Sequence, residues 1–159
     1  MGASVSGLSG ASQTLGQWFG GKAAVLVYWA TWCGPCLAES PDLARLERKL
    51  RASGANTAIR PLHAFDEATL AVGRATLNRI GARDLEAIQA SPALEATAIS
   101  IFGRSPVEKT RTSIPALLLA TADGTVIGTR LGTVEPEKGR PLYWDDPSTL
   151  DFLSQLGKA

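Results

Sequence analysis

The chain holds two thiols, Cys33 and Cys36, in the stretch YWATWCGPCLAESP at residues 28–41, with Gly34 and Pro35 between them. Thiols at this spacing can share a metal ion, staple a loop or carry electrons. A closed zinc site takes about four ligands, and beyond the two thiols the chain has a single histidine, His63. A bridge across so short a loop removes little entropy from the unfolded chain, and 159 residues bury enough surface to fold without a staple. Redox chemistry is the remaining use, and it needs neither metal nor cofactor. If Cys33 opens a helix, unpaired N–H groups and the positive end of the helix dipole favour its thiolate. Its pKa is then drawn below the ~8.5 of a free thiol, toward roughly 3.5–7.5. Cys36, three residues on and on the same face, reaches back to close the disulfide. Pro35 at an early helical position costs no internal hydrogen bond and stiffens the turn.

The elements that must hold these sulfurs lie on either side. Residues 23–30, AAVLVYWA, are a continuous apolar run of the kind buried at the centre of a covered sheet, where Tyr28 and Trp29 serve packing. Leu43, Leu46 and Leu50 then recur at helical spacing, with Glu47 and Arg51 one turn apart on the outer face and Gly54 as a stop. The thiols therefore stand where a central strand becomes a helix. Residues 56–63, NTAIRPLH, predict a second strand; Pro61 lacks a ladder donor, which assigns it to a sheet edge or strand end, with His63 as a surface or capping residue.

From Asp66 to Phe102 the sequence is alanine-rich with helical spacing. Leu70, Leu77 and Ile80 share a face before Gly81, Leu85 and Ile88 follow, and Ser91–Pro92 is an N-cap with proline in the first helical position. Residues 103–113 form a polar loop. The apolar runs IPALLLA and TVIGTRL flank Asp123–Gly124, a strong hairpin signal. Residues 133–146 wander as a loop with Tyr143 and Trp144 sealing a core edge, and Asp146–Pro147 opens a last helix carrying Leu150, Phe152, Leu153 and Leu156. Strands separated by helices, with a late hairpin, place the chain in the α/β class.

At this point a resemblance enters. FGGKAAVLVYWATWCGPCLAESPDL, residues 19–43, resembles the active-site region of the thioredoxin superfamily, with its Trp-Cys-Gly-Pro-Cys signature at Trp32–Cys36. SIPALLLATADGTVIGTRLG, residues 113–132, is similar to that family's cis-proline strand and hairpin. The resemblance implies a thioredoxin-like fold: a central mixed sheet flanked by helices, with a helical insertion at about 65–104 before the cis-proline strand. That insertion is either extra core cover or a partner-binding lid. Pro115, after Ile114, becomes the cis-proline beside the dithiol, Trp32 its flanking shield, and Pro41 the proline that kinks the active-site helix. Glu39 and Pro41 complete the Trp-Cys-x-x-Cys-x-x-Glu-x-Pro pattern of the extracytoplasmic TlpA/ResA-like proteins. Val27 stands where thioredoxin carries a buried aspartate, so the proton acceptor is another group or water. The resemblance makes the Glu39 carboxyl the candidate to take the Cys36 proton, the alternative being a solvated helix residue.

What this implies is a thiol-disulfide oxidoreductase that exchanges a Cys33/Cys36 dithiol or disulfide with protein substrates. The Gly34–Pro35 and Ile114–Pro115 pairs resemble those of reducing members, so a protein-disulfide reductase is expected. A disulfide-donating oxidase or isomerase, and a non-catalytic binding module, would share the fold. TRTSIPA replaces the signature typical of cytochrome c maturation members, which argues against a dedicated apocytochrome role. Charge adds exclusions: 16 basic against 15 acidic residues leave a net +1, with no global field to recruit nucleic acid. The expected partners are protein dithiols or disulfides and an upstream electron donor such as a membrane electron-transfer protein, met by a monomer. Residues 1–13, rich in Gly, Ser and Ala, read as a flexible tail or the remnant of a removed signal, and residues 14–159 as one domain. With no cysteine beyond the pair, a periplasmic or other extracytoplasmic location is expected, possible anchoring lying in a segment absent from this sequence; the alternative is cytoplasmic.

Overall fold

The computed structural model describes residues 4–6, 12–14, 21–123, 125–132 and 147–158. In chain order the elements are β1 (Ser4–Ser6), β2 (Ser12–Thr14), β3 (Ala23–Trp29), α1 (Gly34–Ala52), β4 (Thr57–His63), α2 (Leu70–Arg79), β5 (Ile88–Ala90), α3 (Pro92–Phe102), β6 (Ala116–Ala120), β7 (Val126–Leu131) and α4 (Pro147–Leu156). The strands form one mixed sheet in the order β2-β1-β5-β4-β3-β6-β7. β3 pairs in parallel with β4 and antiparallel with β6, which continues antiparallel into β7. The architecture is the α/β, thioredoxin-like one.

All of β3 is buried, and its alternation feeds two cores. Val25, Val27 and Trp29 pack with Leu43, Leu46 and Leu50 of α1, Leu77 of α2 and Leu153 and Leu156 of α4. Ala24, Leu26 and Tyr28 face the other way, toward Leu62, Ile88 and the α3 residues Leu94 and Ala98. Each fully buried Leu or Ile contributes about 1.5–3 kcal/mol, so a strand covered on both faces is the rigid base from which the thiols project. Phe152, expected on the apolar face of the last helix, is 46% exposed, whereas Leu153 and Leu156 are buried.

Five expectations are corrected. β4 is not an edge strand, because β5 pairs with it in parallel. That pairing reaches only Leu62 and His63, however, and leaves the lower part of β4 open on that side. There the Ile59 N–H donates to Glu47 Oε1 at 3.0 Å, and by strand alternation the missing donor of Pro61 falls on the same open side. Glu47 is therefore buried at a strand edge with Arg60 and Arg51 beside it, not on the outer face. Burial pushes its carboxyl above the ordinary range, against the Ile59 donor and both arginines.

The helical block is interrupted by β5, which takes Ile88 into the sheet; three residues carry too little periodicity to show in an alanine-rich background. Residues 1–13, expected as a flexible tail, hold β1 and the first two residues of β2, and β1 pairs antiparallel with both β2 and β5. His63 is fully buried. The hairpin residue Gly124, the loop with Tyr143 and Trp144, and Asp146 lie outside the described residues.

Candidate active site

Four residues, Ala30 to Cys33, separate the end of β3 from α1. The Cys33 N–H donates to the Ala30 carbonyl at 3.1 Å and closes a turn with Thr31 and Trp32 at its centre. Cys33 is the N-cap of α1, with extended φ and ψ of −90° and 99°, and its Sγ accepts the Cys36 N–H at 3.2 Å. Pro35 lies in the first helical positions, where no internal donor is needed. Cys33 and Cys36 form a disulfide with Cα atoms 5.3 Å apart. Only 3% and 2% of these residues is exposed.

Opposite the disulfide, the Ile114–Pro115 peptide bond is cis. Cys33 Sγ lies 3.7 Å from the Ile114 carbonyl oxygen; a disulfide sulfur has no proton, so this is a contact that can become a hydrogen bond only in the dithiol. Trp32, the residue before Cys33, is 48% exposed, its Nε1–H donating to the Phe65 carbonyl at 2.9 Å and its ring covered by the Arg111 guanidinium at 4.5 Å. A groove of about 820 Å³ runs from Trp32 along Phe65, Glu67, Glu95, Glu108 and Arg111. The 65–104 block thus supplies core residues and one wall of this groove.

Glu39 is 7% exposed, which removes the solvated reading. Its carboxylate is gripped by Arg130 of β7, whose Nη2 lies 3.1 and 3.3 Å from the two oxygens. Burial lowers the Arg130 pKa, and the Glu39 charge opposes that shift. Pro41 sits inside α1 and leaves the Leu37 carbonyl without its helical donor. Val27 is buried in the core cluster that also contains both cysteines, so the layer beneath the dithiol is apolar there.

Sequence reasoning missed Thr31 and Asp66. Asp66 Oδ2 accepts from both the N–H and the hydroxyl of Thr31, each at 2.7 Å, and lies 2.9 Å from His63 Nε2. Oδ1 accepts the Ala68 N–H at 3.0 Å. Burial by itself would raise the Asp66 pKa, but these donors together hold it at about 2. The available signal was positional: Asp66 follows the C-terminal end of the strand parallel to β3, the edge where parallel sheets gather functional groups.

Comparisons with known proteins agree with this geometry. Residues 3–76, just under half of the chain, match the Redoxin family model. No curated protein sequence matches the chain. Among solved structures, a thiol:disulfide interchange protein from Bacteroides sp. superposes with a TM-score of 0.67 at 13% identity, over 99% of this chain and 86% of that one. The exposed lipoprotein thioredoxin of Streptococcus pneumoniae gives 0.62 at 19% identity, over 94% and 98% of the two chains. A secreted Mycobacterium tuberculosis disulfide oxidoreductase, described as homologous to Escherichia coli DsbE, gives 0.59 at 20% identity, over 99% and 95%. At these identities the likeness concerns the fold. By that fold, and by the Redoxin model that residues 3–76 match, the chain is similar to thioredoxin-like proteins and has their architecture.

Proposed function

We propose that this chain is a thiol-disulfide oxidoreductase that reduces disulfides in protein substrates outside the cytoplasm. The observation that carries the reading is Cys33 at the N-cap of α1, its sulfur accepting the Cys36 N–H and bonded to Cys36. In the dithiol, the Cys33 thiolate attacks one sulfur of the substrate disulfide, forming a mixed disulfide and releasing one substrate thiolate. The Cys36 thiolate then attacks Cys33 Sγ, releasing the second substrate thiolate and leaving the Cys33–Cys36 disulfide. Two electrons pass to the substrate, and an upstream dithiol donor, such as a membrane electron-transfer protein, returns them.

Trp32 and Pro115 flank the attacked sulfur, with Ile114 offering its carbonyl, and Gly34 and Pro35 keep the turn narrow. Glu39 serves by tying α1 to β7 through Arg130. Reduction is preferred to oxidation because Gly34–Pro35 and Ile114–Pro115 resemble the pairs of reducing members. An extracytoplasmic place is supported by neighbours described as secreted or as an exposed lipoprotein, and by the lack of any cysteine beyond the pair. No helix among the described residues is long and apolar enough to cross a membrane.

The test is reduction of insulin disulfides in the presence of dithiothreitol. The chain should accelerate it, and Cys36→Ser should instead accumulate a stable mixed disulfide on Cys33. A chain that does neither is not a reductase.

A further inference from the structure

Behind the dithiol lies a part-buried polar chain, with His63 fully buried at its centre, that the exchange steps do not use. It runs from Gln89 of β5 through His63 of β4 to Asp66 and Thr31. Gln89 Nε2 donates to the His63 carbonyl at 3.0 Å and lies 3.4 Å from that of Ala90, both of which can only accept. The amide orientation is thereby fixed, and Gln89 Oε1, 2.7 Å from His63 Nδ1, must be an acceptor as well. On the other side of the ring, Nε2 faces Asp66 Oδ2, which already takes two donors from Thr31. Both ring nitrogens face acceptors. Trp29 of β3 packs against the ring at 5.2 Å, tilted by 50°, and Gly73 of α2 lies against it as well, so no water is needed to satisfy the ring.

We propose that Asp66 is the positioning residue of the active-site turn, holding Thr31 two residues before Cys33 while His63, with a proton on each ring nitrogen, neutralises its charge. Together with the Trp32 bond to Phe65, this ties both central residues of the 30–33 turn to the segment that leaves β4. The turn in turn sets Cys33 Sγ against the Cys36 N–H. A bare carboxylate so near the dithiol would oppose the Cys33 thiolate; an internally neutralised one orients the turn without that penalty. The inference rests on Cys33 being the working thiol, as read above.

Two measurements on the full chain decide it. Because His63 is the single histidine, its ring nitrogens are unambiguous in a nitrogen-resolved NMR spectrum of the wild-type protein at neutral pH. Two protonated ring nitrogens are expected; one protonated and one bare nitrogen overturns the assignment without any variant. The second is the thiolate titration of Cys33 in the reduced protein, wild type against Asp66→Asn. The amide removes the carboxylate and with it the second proton of His63, so local charge is unchanged and the loosened turn dominates. The Cys33 midpoint should rise, with a fall of about tenfold in disulfide-reduction rate, near the loss of one charge-assisted hydrogen bond. An uncompensated carboxylate requires the opposite sign: its removal would lower the midpoint. If wild-type Cys33 itself titrates as a free thiol, the functional reading fails, while the ring signals still decide the protonation of His63.

Discussion

Gly73→Ala is the sharpest steric test of how the site is braced. Gly73 is buried in α2, and a Cβ there would stand 3.2 Å from Trp29 Cη2 and 3.3 Å from His63 Cδ2. Two effects compete. Replacing a helix-interior glycine by alanine gains about 0.8–1 kcal/mol of intrinsic propensity, whereas forcing an extra methyl into a filled core costs about 1–3 kcal/mol. The sign depends on whether the neighbours can yield. His63 is held at 2.7 Å by Gln89 and 2.9 Å by Asp66, and Trp29 is 2% exposed under α1 and α2, so neither ring has room to move. The clash should win, for a net loss of about 1 kcal/mol, or roughly 2–4 °C in Tm for a domain of this size. Urea denaturation of wild type and variant, compared at equal m-value, reads the difference. A variant about 1 kcal/mol more stable than wild type would mean that the rings move freely, and the rigid bracing of Asp66 through His63 would be refuted.

Arg130→Met should cost about 3 kcal/mol, because it strands the Glu39 carboxylate, 6% exposed, in the interior; urea curves should show Glu39→Leu combined with Arg130→Met recovering most of it, and a single-variant loss below about 0.5 kcal/mol contradicts the ion pair's placement. Asp66 predicts acid sensitivity. Its pKa is about 2 in the folded chain against an ordinary 3.8, so between these values the unfolded chain binds more protons and stability falls as pH falls. About 2 kcal/mol present above pH ~4 should be lost by pH ~2, and the stability of Asp66→Asn, followed over the same range, should decline less by that amount.

Where the signal was local, the sequence was legible. The uninterrupted apolar run of β3, the leucine spacing of α1, Ser91 capping the Leu94 N–H, and the Asp123 hairpin between β6 and β7 each rest on neighbours within a few residues. The dithiol was legible because its two members and the helix that Cys33 caps occupy adjacent positions. The rest depends on partners distant in the chain. Glu39 meets Arg130 across 91 residues, and Asp66 meets Thr31 across 35, with no periodic pattern to announce either pair. His63 illustrates the same limit: a lone histidine at a strand end has an exposed reading and a buried one, and only the packing of β5 and α2 around it decides. Glu47 looked solvent-facing because Arg51 stands one helical turn from it, yet a strand edge left uncovered by the short β5 draws it inward.

The central claim is that the start of α1 makes Cys33 acidic enough to attack a disulfide. The direct measurement is the ultraviolet thiolate titration of reduced Cys36→Ser, in which Cys33 is the one thiol. A midpoint between roughly 3.5 and 7.5 is predicted; a midpoint at or above the free-thiol value of about 8.5 would contradict the account.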